Sequence, residues 1–228
     1  MQNHICTPKR IELKEVFRPS DIFYFKSKLK TSSLRFFQHY PTRRINSIYF
    51  DSINFESLEE SIEGSSKRTK IRLRWYGKEK STSSATLELK RKQGLFSWKD
   101  LFLNEFKITP NATTWDDLIS QEKRTELNSY RFIKSKLPVS IISYDREYYC
   151  SMDGKVRVTI DSNLKSFDQR NNISPNLKFK RNFSNQIIVE AKVNASDEKH
   201  LKTFHQELPF SCKRFSKYCE SLLPQKNI

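Results

Sequence analysis

Hydrophobic and polar residues alternate along much of this 228-residue chain with the period of two that a β-strand imposes, since successive strand side chains point to opposite faces. Strands are predicted at RIELKEVF (10–17), RRINSIYFDS (43–52), KRTKIRLRWYG (67–77), SATLELKRKQG (84–94) and FSWKDLFLNEF (96–106), the last two hinged at Gly94. Three more follow at VSIISYDREYYC (139–150), KVRVTIDSNL (155–164) and NQIIVEAKV (185–193), with a weaker one at NLKFKRNF (176–183). Helical spacing replaces alternation in PSDIFYFKSKLK (19–30), where Ser20 is placed as the N-cap, and in NFESLEESIEG (54–64), which stops at Gly64. It returns in TTWDDLISQEKRTELNSYRFIKSKL (113–137), capped near Thr114 and ended before Pro138, and in SDEKHLKTFHQEL (196–208) and CKRFSKYCESLL (212–223). No repeat, low-complexity tail or Pro/Gly linker divides the chain, so residues 1–228 read as a single α+β domain built around a barrel or strongly curved sheet.

Sorting each strand by face separates apolar from charged residues. Lys70, Arg72 and Arg74 share one side of KIRLRWYG, with Ile71, Leu73 and Trp75 on the other. Arg10, Glu12 and Lys14 share a face, as do Glu88, Lys90 and Lys92, then Lys155, Arg157, Thr159 and Asp161, and finally Glu190 and Lys192; Arg146 sits with Tyr144 and Tyr148. A half-buried antiparallel sheet with its polar side in water accounts for simple alternation. It does not account for faces this rich in arginine and lysine, because like charges side by side on a sheet repel unless an anion lies between them. The apolar faces also need cover, which helices supply. A closed antiparallel barrel with helices packed outside and a cationic lumen satisfies both requirements.

The overall charge changes the picture in the same direction. Lys and Arg outnumber Asp and Glu by 42 to 26, a formal net charge of +16 that calls for a polyanionic partner. The opening MQNHICTPKR has no apolar signal core, and no run approaches the length of a membrane span, so a cytoplasmic protein is expected. Cys6, Cys150, Cys212 and Cys219 have neither zinc spacing nor a disulfide pattern and are read as reduced thiols; His200 and His205 are five apart, not the i, i+4 pair of a helical metal site. GSSK, at Gly64, is too short for a phosphate-binding P-loop and is read as a basic lip. Phe36, Phe37, Tyr148 and Tyr149 raise base stacking on RNA, against which core packing between barrel and helices is the expected role. Nucleic acid is therefore not the expected partner.

In order along the chain, RIELK, KIRLRWYG, TLELKRKQG, SWK, SYDREYY, KVRVTID, IIVEAKV and RFSKYCESL resemble the VTC domain, the polyphosphate polymerase branch of the triphosphate tunnel metalloenzymes. The resemblance covers nearly the whole chain and rests on the ordered set, since LELK or RVTID alone has little specificity. It implies a closed eight-stranded antiparallel barrel forming a tunnel, a Mn²⁺ or Mg²⁺ ion, and transfer of the γ-phosphate of ATP onto polyphosphate, with pyrophosphate as a possible primer. By motif it assigns catalytic roles to Arg72, Arg74, Lys90, Arg146 and Arg157, and phosphate binding to these together with Lys14, Lys99, Lys192 and Lys217. Glu190 of VEAK is the implied metal carboxylate, with Glu88 second.

One departure bears on the reaction. The wider superfamily opens with Glu-x-Glu-x-Lys, and Arg10 stands in the first glutamate's place, which points away from hydrolysis and toward the polymerase branch. The regulatory domain and membrane helices fused to eukaryotic relatives do not occur in this sequence, so export of a product is expected to need a membrane-protein partner. Two other functions use the same cations: a tripolyphosphatase or nucleoside triphosphatase of the same fold, told apart by its orthophosphate product, and a non-catalytic polyphosphate-binding module, which has no use for Glu190 among its cations.

Overall fold

The computed structural model describes residues 4–77, 85–104, 114–123, 129–183 and 185–223. Its strands are β1 (His4–Cys6), β2 (Arg10–Phe17), β3 (Phe37–Asp51), β4 (Lys67–Tyr76), β5 (Ala85–Gln93), β6 (Phe96–Asn104), β7 (Leu137–Cys150), β8 (Val156–Asp168), β9 (Lys180–Asn182) and β10 (Ile187–Asn194). The helices are α1 (Ile22–Thr31), α2 (Glu56–Glu63), α3 (Trp115–Lys123), α4 (Tyr130–Ile133), α5 (Lys199–Glu207) and α6 (Lys217–Leu222). Residues 105–106 of the predicted FSWKDLFLNEF strand and 124–128 of the predicted long helix lie outside the described residues.

Eight strands pair antiparallel in a ring, β2–β10–β8–β7–β3–β4–β5–β6, and β6 closes it by bonding back to β2 through Arg10↔Ser97 and Ile11↔Phe96. Closure removes the free edges of an open sheet and gives every ring strand an inner and an outer face. Two short strands sit outside the ring order: β1 extends the same edge of β6, and β9 lies along the end of β8. The β5–β6 hairpin turns at Gly94–Leu95, where a left-handed φ of 57° falls on glycine.

The outer faces carry two cores. Val156, Val158, Ile160, Val189, Ala191 and Val193 of β8 and β10 pack under α1 and α5, which contribute Ile22, Phe25, Leu29, Leu201 and Phe204. Around the other half, Ile48, Ile71, Leu73, Trp75, Leu87 and Leu89 are covered by Trp115 and Leu118 of α3 and Ile133 of α4. The helix spacing explains the fit: Ile22, Phe25 and Leu29 fall on one stripe of α1 and are its buried residues.

Local chemistry moved several predicted boundaries. Ser20 does not cap α1; its hydroxyl bonds the Asp21 carboxylate at 2.7 Å, and the helix begins at Ile22. Thr114 does cap α3, accepting from Asp117 N at 3.1 Å while Asp117 Oδ2 accepts from Thr114 N. Strand β3 starts at Phe37, six residues before the predicted start, because Pro41 and Thr42 bulge opposite Glu147 and hide the alternation without ending the pairing. The last predicted helix shrinks to α6. The Glu15 carboxylate of β2 accepts from Ser211 N at 2.6 Å, Cys212 takes a left-handed φ of 58°, and Ser216 becomes the cap. That helix turns to the inner face: Tyr218, Cys219 and Leu222 pack with Ile45, Tyr49, Ile142 and Tyr144.

Candidate active site

Residues directly opposite in an antiparallel pair point to the same face, so the strand registers identify the inner wall. Lys14 lies beside Glu190, which lies beside Thr159; Lys192 lies between Glu12 and Arg157. Across the ring, Tyr49, Arg72 and Glu88 form one row and Lys70, Lys90 and Lys99 another. The charged faces read from alternation thus converge on one lumen.

Four inward carboxylates organise the cations. Glu88 takes Arg72 Nε at 2.7 Å, Lys99 at 3.1 Å and Arg74 at 3.5 Å. Asp161 binds Arg146 through both oxygens, at 2.5 and 2.6 Å, and Lys217 at 2.6 Å. Glu190 holds Lys192 at 2.7 Å and Lys14 at 3.1 Å, with Arg146 at 4.0 Å, and Glu12 holds Lys90 at 2.6 Å. Tyrosines aim two arginines: Arg72 Nη1 donates to Tyr49 Oη at 3.0 Å and Arg74 Nη2 to Tyr144 Oη at 3.2 Å. Just before α6, Ser216 Oγ accepts from Lys70 at 2.7 Å and the Phe215 carbonyl accepts from Lys14 at 3.3 Å. Tyr218 stacks on Tyr49 and donates to the buried Asp51.

The carboxylates do not neutralise the wall. Burial alone would raise Glu88, but Arg72, Arg74 and Lys99 overcome it and hold the carboxyl well below its usual range; Lys192, Lys14 and Lys90 do the same for Glu190. The lysines pay in the opposite direction. Burial, with Lys14 and Lys90 nearby, lowers Lys70 to about 7, and burial against the attraction of Glu190 leaves Lys192 at about 8. Burial lowers Lys99 well below its ordinary value, and Lys90 and Lys92 are lowered for the same reason. A lumen of this kind carries positive charge that an anion with several oxygens can offset at several points at once.

Of the residues singled out from sequence, Lys14, Arg72, Arg74, Lys90, Lys99, Arg146, Lys192 and Lys217 all reach this lumen, and Arg157 stands exposed on its rim, opposite Lys192 and near Arg10. Glu88 stands with the arginine pair, apart from Glu190 and its lysines. Lys217 is the first residue of α6 and is drawn inward by Asp161. Lys155, grouped with Arg157 by alternation, precedes β8 and lies 4.0 Å from Asp197. Sequence reasoning left out Lys70, Glu12 and Asp161 as members of the site, although each shares a face with a residue it selected; cross-strand pairing, not spacing, reveals their part.

No three His, Cys, Asp or Glu side chains converge as a metal cage among the described residues. Mg²⁺ and Mn²⁺ at phosphate sites commonly use one or two carboxylates and take the other oxygens from phosphate and water. Glu190 fits that pattern, and the hydroxyl of Thr159, directly opposite it, is buried with no hydrogen-bond partner. A phosphate oxygen reaching this point would give the Thr159 hydroxyl its acceptor.

The model of the VTC domain family matches residues 9–223. Similar solved structures include a Hippeastrum protein described as an adenylyl cyclase with a dominant triphosphatase activity, at 15% identity over 96% of this chain and 98% of that one, with a TM-score of 0.48. A Vibrio parahaemolyticus protein described as an adenylate cyclase matches at 10% identity over 90% and 94%, with a TM-score of 0.47. A Pyrococcus horikoshii protein matches at 14% over 92% and 93%, with a TM-score of 0.44. No curated protein matches the chain.

Proposed function

The chain belongs to the VTC domain family, and from that premise we propose that it is a polyphosphate polymerase, transferring the γ-phosphate of ATP to the end of a polyphosphate chain inside the ring. The observation that carries this reading is the lumen itself: the buried Arg72, Arg74 and Arg146 and the partly buried lysines of a closed ring outnumber four carboxylates that are each already engaged by Lys or Arg.

Phosphoryl transfer asks the protein mainly for positioning and charge neutralisation. In the proposed reaction a terminal oxygen of the acceptor chain forms a bond to the γ-phosphorus, the bond from that phosphorus to the β–γ bridging oxygen breaks, and ADP leaves with the electron pair. The acceptor oxygen is already ionised, so no general base is needed. Arg72 and Arg74, braced by Glu88, Tyr49 and Tyr144, present guanidinium donors to one part of the phosphate chain, and Arg146, braced by Asp161, presents them to another. Lys14, Lys90, Lys99, Lys192 and Lys217 add point charges that follow the phosphates as their own partners let go. Glu190 is the residue that would hold a divalent ion, which when bound neutralises phosphate oxygens beside it. Hydrolysis of triphosphate is the less favoured reading because Arg10 stands where the wider superfamily has its first glutamate, which removes a carboxylate that could orient a water. ATP as donor is consistent with action in the cytoplasm, and no helix among the described residues is long and apolar enough to cross a membrane.

The test is incubation with ATP and Mn²⁺, with and without a pyrophosphate primer, followed by gel analysis of the product. Long polymer is expected. Release of orthophosphate with no polymer would replace the polymerase by a triphosphatase on the same site.

A further inference from the structure

Where β3, β4 and β7 run past the arginines of the lumen, each carries an aromatic or cationic residue that phosphate binding does not use. Arg43 of β3 is directly opposite Arg146 of β7. Tyr148 lies two residues beyond Arg146, and Tyr76 two residues beyond Arg74. These side chains meet. The Arg43 guanidinium carbon lies 4.9 Å from the ring centroid of Tyr40, 5.9 Å from that of Tyr148 and 6.0 Å from that of Tyr76, and the rings of Tyr40 and Tyr148 are 5.8 Å apart, edge to face.

A cluster assembled only to hold the sheet together would be closed to water. This one is open: Tyr40 is 45% exposed and Tyr76 is 53% exposed, and Arg43 is exposed as well. The β3 bulges, with Pro41 and Thr42 opposite Glu147, re-aim this part of the strand at the rim, as bulges beside binding sites do. Tyr148 makes the connection to the lumen, since its hydroxyl, raised above its ordinary value chiefly by burial, is also under the influence of Arg146 and Arg74.

We propose that Tyr40, Tyr76, Tyr148 and Arg43 form the platform that receives the base of the nucleoside triphosphate, with the triphosphate running inward past Arg74 and Arg146. Two residues of strand span about 6.7 Å, the scale of the ribose that separates a base from its phosphates. Stacking on tyrosine and on a guanidinium plane is tolerant of base identity, so the platform recognises that the donor is a nucleotide more than which nucleotide it is. The inference rests on the proposed function and adds to it how the donor is told from the acceptor: a polyphosphate chain has nothing to place on the rings.

Titration of ATP and of tripolyphosphate into the parent, Tyr40→Ala, Tyr76→Ala and Tyr76→Phe proteins, at one salt and one Mn²⁺ concentration, separates the outcomes. Both tyrosines are half in water, so their removal spares the fold. Expected are ATP affinities about tenfold weaker in the two alanine variants, unchanged tripolyphosphate affinity, and near-parental ATP affinity in Tyr76→Phe, which keeps the ring. Unchanged ATP binding in both alanine variants overturns the platform and leaves the tunnel standing. Parallel loss of ATP and tripolyphosphate also overturns it, because the rings then shape the lumen and do not hold a base. A parent protein that binds neither ligand overturns the tunnel reading, and the platform with it.

Discussion

Arg72 and Glu190 are both buried, inward and salt-bridged, yet the chemistry around them assigns them different work. Arg72 is one of three cations on Glu88, so Arg72→Ala leaves that carboxylate paired with Arg74 and Lys99 and the ring intact. Turnover is expected to fall by about 100-fold or more, the usual effect of losing one preorganised donor to a charged transition state, at every metal concentration. Glu190→Gln preserves shape, and its loss of turnover should be partly recovered by raising Mn²⁺, with tripolyphosphate affinity little changed. Initial rates over a metal titration distinguish them; identical metal dependence in the Glu190 variant and the parent would remove Glu190 from the metal site.

The buried lysines make a second residue-scale prediction. Lys70 at about 7 and Lys192 at about 8 lie below the ordinary 10.5, so below pH 7 folded and unfolded chains both carry these protons and the folded state bears the full cost of burying them. As pH rises the folded protein releases protons that the unfolded chain still holds, and stability increases from about pH 7 until the unfolded lysines titrate near 10.5. The melting temperature of the ligand-free protein should therefore climb between about pH 6.5 and about pH 9, and Lys70→Met should flatten the lower part of the climb. Tripolyphosphate affinity should move the other way, weakening over the same range. A melting temperature that falls across it would contradict the burial of charged lysine in the lumen.

At the scale of elements, α6 shows what pairing across the fold adds to local pattern. Its segment has helical spacing, but Glu15, 196 positions from Ser211, decides where the helix begins, and no window of sequence contains that bond. The same holds for β1, three residues long and too short to show a period, and for β3, whose bulged start breaks it. The long strands were legible because one face had to be apolar against the helices and the other had to meet the cations; KIRLRWYG is visible for that reason, and so is its inward basic face. The partners within the lumen were not, because Lys90 to Glu12 and Lys217 to Asp161 depend on ring closure and on the position of α6. That position can be measured. Tyr218→Phe removes a bond to Asp51, which keeps the backbone N–H groups of Ser52, Ser57 and Leu58. The expected cost is about 1.5 kcal/mol, a fall of about 3–6 °C in melting temperature, while Tyr24→Phe on the exposed side of α1 should leave it unchanged.

On the scale of the whole molecule, part of a net charge of +16 faces inward where strands round the ring face one another, and that repulsion lowers the stability of the ligand-free protein. A ligand that binds only the folded state returns stability in proportion to the logarithm of its concentration over its dissociation constant. One phosphate chain reaches several of these side chains at once, whereas separate orthophosphates must each be immobilised. The most direct measurement is the melting curve at low salt with tripolyphosphate against orthophosphate at equal total phosphate. Tripolyphosphate should raise the melting temperature well above the orthophosphate value, with a gain that shrinks as salt is added and in Arg146→Ala and Arg157→Ala proteins. Equal shifts from the two ligands, or none from either, would contradict a phosphate-chain tunnel and leave a basic ring without its substrate.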